Sequence, residues 1–205
     1  MNFMRLIRLQ CVLLFVGFAF VSWGQKTGVI FGKKMGISHP DWQFQYPDSI
    51  QDLTSYDCIF IFSTAQPSLD STTLSQLKLA VEQGTNIYIG SENWPFVAES
   101  NQVTTLFFNK SMQLMHDVSM AKVNTLTHSD RVFSKTVIPA GTTTSSFPLD
   151  YRLKVEAWTA DEPLILSGKI GLGKLIIDGG YSRFYSENWD AEVELVWNEL
   201  LDYLK

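Results

Sequence analysis

Ser91-Glu92-Asn93-Trp94 and Ser186-Glu187-Asn188-Trp189 are the same four residues met twice, each a short way beyond an apolar run. A hydroxyl, a carboxylate, an amide and an indole together suit a polar ligand with an apolar face, such as a sugar ring. Trp supplies a stacking surface, and Glu and Asn supply directional hydrogen bonds. Tyr181, between the last apolar run and the second copy, is a further candidate contact. The competing reading is structural: Ser and Asn ahead of a helix are ordinary N-caps, and a Trp near a helix start often packs on the core.

Nucleophilic chemistry has one opening. Ser91 follows an apolar run and precedes a helical stretch, the setting of a nucleophile elbow, but Gly-x-Ser-x-Gly is absent because no second Gly follows. A hydrolase would therefore rest on Ser91 or Glu92 with an imported base, for which His128 and His116 are the candidates. A metal site has less to build on: His39, His116 and His128 stand far apart and none forms a His-x-x-x-His pair. No cofactor motif is found either. Gly168 to Gly173 is Gly-rich but leads into a strand pattern, so it lacks the helix N-terminus of a phosphate cradle. Cys58, inside Cys58-Ile59-Phe60-Ile61-Phe62, reads as a small buried hydrophobe.

The elements that position these residues are α/β in pattern. Gly28–Gly32 and Cys58–Phe62 are short apolar runs of the kind buried on both faces of a parallel sheet. Asp70 or Ser71 caps a helix with Leu74, Leu77 and Val81 on one face, and Gly84 stops it. The strand Asn86–Gly90 completes a βαβ unit. A second helix spans about Val97 to Phe108. Between them, Gly36–Ser49 alternates Trp42, Phe44 and Tyr46, which fits an edge strand or ordered loop. Met112–Tyr151 reads as irregular strands and loops. A β-hairpin closes the sheet through Pro163–Leu166, the Gly171 turn and Lys174–Asp178, and a last helix carries Val193, Val196, Trp197, Leu200, Leu201 and Leu204 behind Asn188 or Asp190. The expected fold class is α/β with a mainly parallel sheet, a closing hairpin and a C-terminal helix.

At the N-terminus, Arg5 and Arg8 precede an apolar core from Cys11 to Val21, and Ser22-Trp23-Gly24 offers a cleavage site ahead of Gln25. The expectation is a signal peptide over 1–24, a single domain over 25–205, and export to the periplasm or outside the cell. The leader holds two of the 16 basic residues and none of the 21 acidic ones, so its loss takes the charge from −5 to −7. That sign argues against nucleic acid and anionic membrane surfaces as partners, and no membrane span is expected once the leader is gone. With Cys11 removed, Cys58 has no partner for a disulfide.

Two blocks resemble the class I glutamine amidotransferase-like superfamily, in its non-amidotransferase branch of ThuA-like proteins. One runs from Tyr56 through Leu74–Gly84 to Ile87-Tyr88-Ile89-Gly90, and the other from Pro163 through Gly171-Leu172-Gly173 to Asp178-Gly179-Gly180. The resemblance implies a three-layer, flavodoxin-like fold. Two departures stand out. Gly90-Ser91-Glu92-Asn93 replaces the Gly-x-Cys-x-Gly turn, which argues against glutaminase activity, and the short, Pro-containing interval from Phe31 to Cys58 implies that the family's first helix is missing. His128-Ser129-Asp130 is similar to the His-Pro step of ThuA-like proteins. The expected function is a non-catalytic module binding a glycan or an envelope protein at the strand C-terminal edge through Ser91, Glu92, Asn93, Trp94, Tyr181, Glu187, Asn188 and Trp189. The alternatives are a hydrolase acting on a sugar or amide, or a structural component of an envelope assembly.

Overall fold

The computed structural model describes residues 24–47, 52–116, 120–123, 131–159 and 161–205. The expected leader up to residue 23 and His128 lie outside them. Strands β1 (Lys26–Gly32), β2 (Trp42–Gln45), β3 (Cys58–Phe62), β4 (Asn86–Gly90), β5 (Gln113–His116), β6 (Met120–Val123), β7 (Val137–Pro139), β8 (Thr144–Ser146), β9 (Leu153–Thr159), β10 (Glu162–Ile170) and β11 (Gly173–Asp178) combine with helices α1 (Ser71–Gln83), α2 (Ala98–Phe108) and α3 (Ala191–Tyr203). Nine strands form one sheet in the order β2-β1-β3-β4-β11-β10-β9-β6-β7, and β5 pairs with β8 separately.

Helices α1 and α3 each begin at a capping aspartate. Asp70 accepts from Thr73 N at the head of α1, and Gly84 ends it in the left-handed region at φ 118°, which is why a residue without Cβ stands there. Asp190 heads α3 by accepting from Glu192 N and Val193 N, so the cap is Asp190 and not Asn188. Between β1 and β3 the described residues contain the strand β2 and a single 3₁₀ turn, Leu53–Ser55, and no α-helix.

Strand residues alternate between two cores, as period-2 geometry requires. Phe60, Phe62, Tyr88 and Ile176 share one with Trp42, Trp197 and Leu200, whereas Ile59, Ile61, Ile87, Ile89 and Ile177 share the other with Leu77, Val81, Val103 and Phe108. The sheet is therefore aromatic toward α3 and aliphatic toward α1 and α2. The aromatic side is knitted by ring contacts such as Phe60–Trp197 at 5.9 Å and Phe184–Trp197 at 5.1 Å.

The sheet departs from the mainly parallel expectation. β2-β1, β1-β3, β3-β4 and β4-β11 are parallel, while β11-β10, β10-β9, β9-β6 and β6-β7 are antiparallel. The segment read as irregular supplies β6 and β7 to the same sheet, and the closing hairpin extends through β9. At three or four residues, β6 and β7 are too short for a periodic pattern to stand out from a loop. Among the described residues no helix is long and apolar enough to cross a membrane.

Candidate functional site

Four parallel strands end in register: Gly32 pairs with Phe62, Phe62 with Gly90, and Gly90 with Asp178. The loops that leave this row begin at Lys33, Ser63, Ser91 and Gly179, so the polar residues after each strand meet at one edge. Such a carboxyl edge is where open α/β sheets bind ligands.

Ser91 is fully buried there. Its N–H donates to the Asp178 carbonyl at 2.8 Å, and its Oγ lies 2.7 Å from Ser145 Oγ and 3.3 Å from the Asp178 carbonyl. Asp178 accepts from Tyr88 Oη at 2.8 Å, Gly180 N at 2.9 Å and Arg183 Nη2 at 2.9 Å, with the ion pair wholly out of solvent. Tyr181 Oη donates to the Ser63 carbonyl at 2.5 Å, and its ring meets Tyr185 edge-on at 5.8 Å. Lys33 Nζ sits 3.7 Å from the centre of the Tyr185 ring. Glu92 is 5 % exposed, and its Oε1 has no hydrogen-bond partner among the described residues. Burial pushes its carboxyl above the usual range, partly opposed by the Tyr185 hydroxyl and the Lys33 charge. Burial likewise raises the Tyr185 phenol, with Glu92 adding to the effect.

This arrangement holds the fold at the sheet edge more than it readies a reaction. Ser91 Oγ is engaged by a hydroxyl and a carbonyl, neither of which removes a proton at neutral pH, so its geometry is not that of an activated nucleophile. His39 is occupied elsewhere, its Nδ1 accepting from Asp41 N at 3.1 Å. His116 lies in β5. Among the described residues, no group of three or more His, Cys, Asp and Glu side chains could hold a metal ion. Cys58 is fully buried, and burial raises its thiol well above the ordinary value.

The two four-residue copies do not converge. In the first, Ser91 and Glu92 turn inward while Trp94 is 67 % exposed beside a groove of about 480 Å³ lined by Pro67, Leu74, Pro95, Val97, Asn101 and Gln102. That groove is apolar in effect. The Asn101 amide is taken by Met112 N and the Gln102 amide by the Leu69 backbone. Asn93 closes the turn through its carbonyl, which accepts from Phe96 N at 2.8 Å.

In the second copy the roles invert. Ser186 and Glu187 are exposed and bonded to each other, and Asn188 Nδ2 donates to the Ser182 carbonyl at 2.8 Å, holding the 3₁₀ turn Ser186–Asn188. Trp189 is half-buried against Phe184 and lines a cavity of about 590 Å³ with Ser38, His39, Glu194, Trp197 and Asn198. Leu74 and Asn101 place the Trp94 groove with α1 and α2, and Glu194 and Asn198 place the Trp189 cavity with α3. The copies therefore serve opposite sides of the sheet.

Ser91, Glu92 and Tyr181 thus come together, whereas Asn93 and Trp94, Glu187 and Asn188, and Trp189 each stand apart. Sequence reasoning did not single out Lys33, Ser145, Arg183 or Tyr185 in the first cluster, nor Glu194 and Asn198 in the cavity. Asp178-Gly179-Gly180 followed by Arg183 was the one local signal for the buried ion pair. Ser145 lies 54 residues from Ser91 and left none.

No family model matches the chain, and no curated protein sequence matches it. Solved structures do. A cytoplasmic protein from Salmonella typhimurium LT2 aligns at 13% identity over 87% of this chain and 99% of its own, with a TM-score of 0.64. A second cytoplasmic protein from Salmonella typhimurium aligns at 15% identity over 87% of this chain and 98% of its own, with a TM-score of 0.59. A protein from Bacteroides uniformis described as ThuA-like aligns at 8% identity over 90% of this chain and 93% of its own, with a TM-score of 0.57. At these identities the likeness is one of fold, and the fold is shared with a protein described as ThuA-like.

These matches overturn the expectation of export. The two Salmonella proteins share the fold over nearly their whole length, and both are described as cytoplasmic. The expectation rested on Arg5 and Arg8, the apolar run Cys11 to Val21 and the Ser22-Trp23-Gly24 pattern, all read from local sequence. Residues of this kind do not decide location by themselves.

Proposed function

We propose that the protein is a non-catalytic binding module of amidotransferase-like, ThuA-like, three-layer architecture, and that it takes a glycan in the Trp189 cavity. The single observation that carries this reading is the lining of that cavity. A half-buried indole stands there with the hydroxyl of Ser38, the imidazole of His39, the carboxylate of Glu194 and the amide of Asn198. An aromatic platform ringed by donors and acceptors matches a pyranose, which has an apolar ring face and a polar rim. The volume, about 590 Å³, is within the range of sites for small ligands.

A second reading, docking of a protein partner, is favoured by the exposure of Trp94 (67 %) and Phe96 (40 %) beside the apolar groove. The hydrolase reading draws support only from the buried carboxyl of Glu92, since Ser91 has its hydrogen bonds satisfied internally. Intrinsic fluorescence titrations against a panel of monosaccharides and short glycans, run on wild type, Trp189→Ala and Trp94→Ala, test the proposal. A saturable response lost in Trp189→Ala and kept in Trp94→Ala is expected. No saturable response to any glycan in the wild type would remove the glycan reading and turn the search to protein partners at Trp94.

A further inference from the structure

The charges around the Trp189 cavity narrow the ligand further. Its lining holds one carboxylate side chain, Glu194, one imidazole, His39, and no Lys or Arg. Along α3 the other carboxylates are engaged: Glu192 pairs with Lys135 Nζ at 3.3 Å, and Glu199 accepts from Ser134 N at 3.2 Å. Glu194 is exposed, and among the described residues its carboxylate has neither a hydrogen-bond donor nor an ion-pair partner. The nearby lysines that leave β1 are directed elsewhere, Lys33 to the Tyr185 ring at 3.7 Å and Lys34 to the Tyr46 ring at 5.9 Å.

The walls point the same way. Trp189 is the accessible indole, backed by Phe184 at 6.2 Å, which is itself 5.1 Å from Trp197. An indole face attracts a cation through its quadrupole, and a carboxylate beside it adds directional charge. An anionic ligand would meet the Glu194 carboxylate and find no Lys or Arg in the lining to offset it. The chain's overall charge of −5 disfavours an anion at longer range as well.

We infer that the ligand of the Trp189 cavity is cationic: a sugar bearing a free ammonium group, stacked on Trp189 with its charge toward Glu194. The inference rests on the glycan reading above, and it adds the charge of the ligand to the identity of the cavity. Trp197 lines the same cavity, and its buried Nε1–H has no acceptor among the described residues.

Calorimetric titration of the full chain with glucosamine, N-acetylglucosamine and glucose, at about pH 7 and low salt, separates charge from shape. The three share a ring and differ in whether they carry an ammonium. Glucosamine should bind roughly tenfold tighter than either neutral sugar, and the preference should shrink as salt is added. In Glu194→Gln the ratio of glucosamine to glucose affinity should fall several-fold, to what the Trp189 face alone supplies. Equal binding of all three sugars, or an unchanged preference in Glu194→Gln, would overturn the inference and leave the cavity as a site for neutral glycans. Absence of binding by all three, with Trp189→Ala indistinguishable from wild type, would overturn the inference together with the reading beneath it.

Discussion

Glu92 is a carboxyl that folding withdraws from water, with one oxygen unpaired among the described residues. Its folded-state value lies above the ordinary one, so the native state holds the proton more tightly than the unfolded chain does. Stability from this group is therefore present at low pH and falls as pH rises from the ordinary Glu value, near about 4.3, through the raised one. Glu92→Gln should raise the melting temperature at neutral pH, flatten that part of the stability profile, and leave the acid limb unchanged. Thermal melts of both proteins between about pH 4 and pH 8 check this. A lower melting temperature for Glu92→Gln at neutral pH would mean that Lys33 and Tyr185 more than offset the burial cost. Neighbouring Asp178 shows the other solution, in which Arg183, Tyr88 and Gly180 supply the donors that a fully buried carboxylate requires.

Among the elements, α3 links stability to the cavity. Its first turn, which carries Glu194, is held by the Asp190 carboxylate, which accepts from Glu192 N and Val193 N at 2.9 Å each, and Trp197 and Asn198 follow one turn later. Asp190→Ala should cost about 1 kcal/mol of stability and weaken ligand binding several-fold by fraying the turn that presents Glu194. Urea unfolding and ligand titration of the same variant test the two effects together. A loss of stability with unchanged affinity would show that binding does not depend on the Asp190 cap.

This element, like α1, was legible in the sequence because its signals are local: a capping Asp, a hydrophobic stripe at helical spacing and, for α1, a terminal Gly. The buried run of β3 was legible for the same reason. The bounds and sheet positions of β6 and β7 were not, because three or four residues carry no period, and their place in the sheet is set by partners far along the chain. The site was legible in part. The strand-end position of Ser91 and Glu92 followed from the βαβ pattern, but the repeated Ser-Glu-Asn-Trp does not encode what comes after it. The first copy enters a loop leading to α2, and the second is wound into a 3₁₀ turn ahead of α3. The same four residues thus expose Trp94 and half-bury Trp189.

For the whole molecule, the sheet separates two environments. On the α1 and α2 side the core is aliphatic and the surface groove beside Trp94 is apolar. On the α3 side the core is aromatic and the Trp189 cavity is polar-rimmed. A small polar ligand should be sensed on one side only. The chain contains six tryptophans, namely Trp23, Trp42, Trp94, Trp158, Trp189 and Trp197, and each indole N–H gives its own proton–nitrogen resonance. The most direct test of the account is an indole N–H spectrum recorded during titration with glucosamine, with each resonance assigned by single Trp→Phe substitution. The account predicts that Trp189 and Trp197 shift saturably while Trp94 and Trp158 stay in place. A shift of Trp94 with Trp189 unmoved would contradict it and put the binding site on the other side of the sheet.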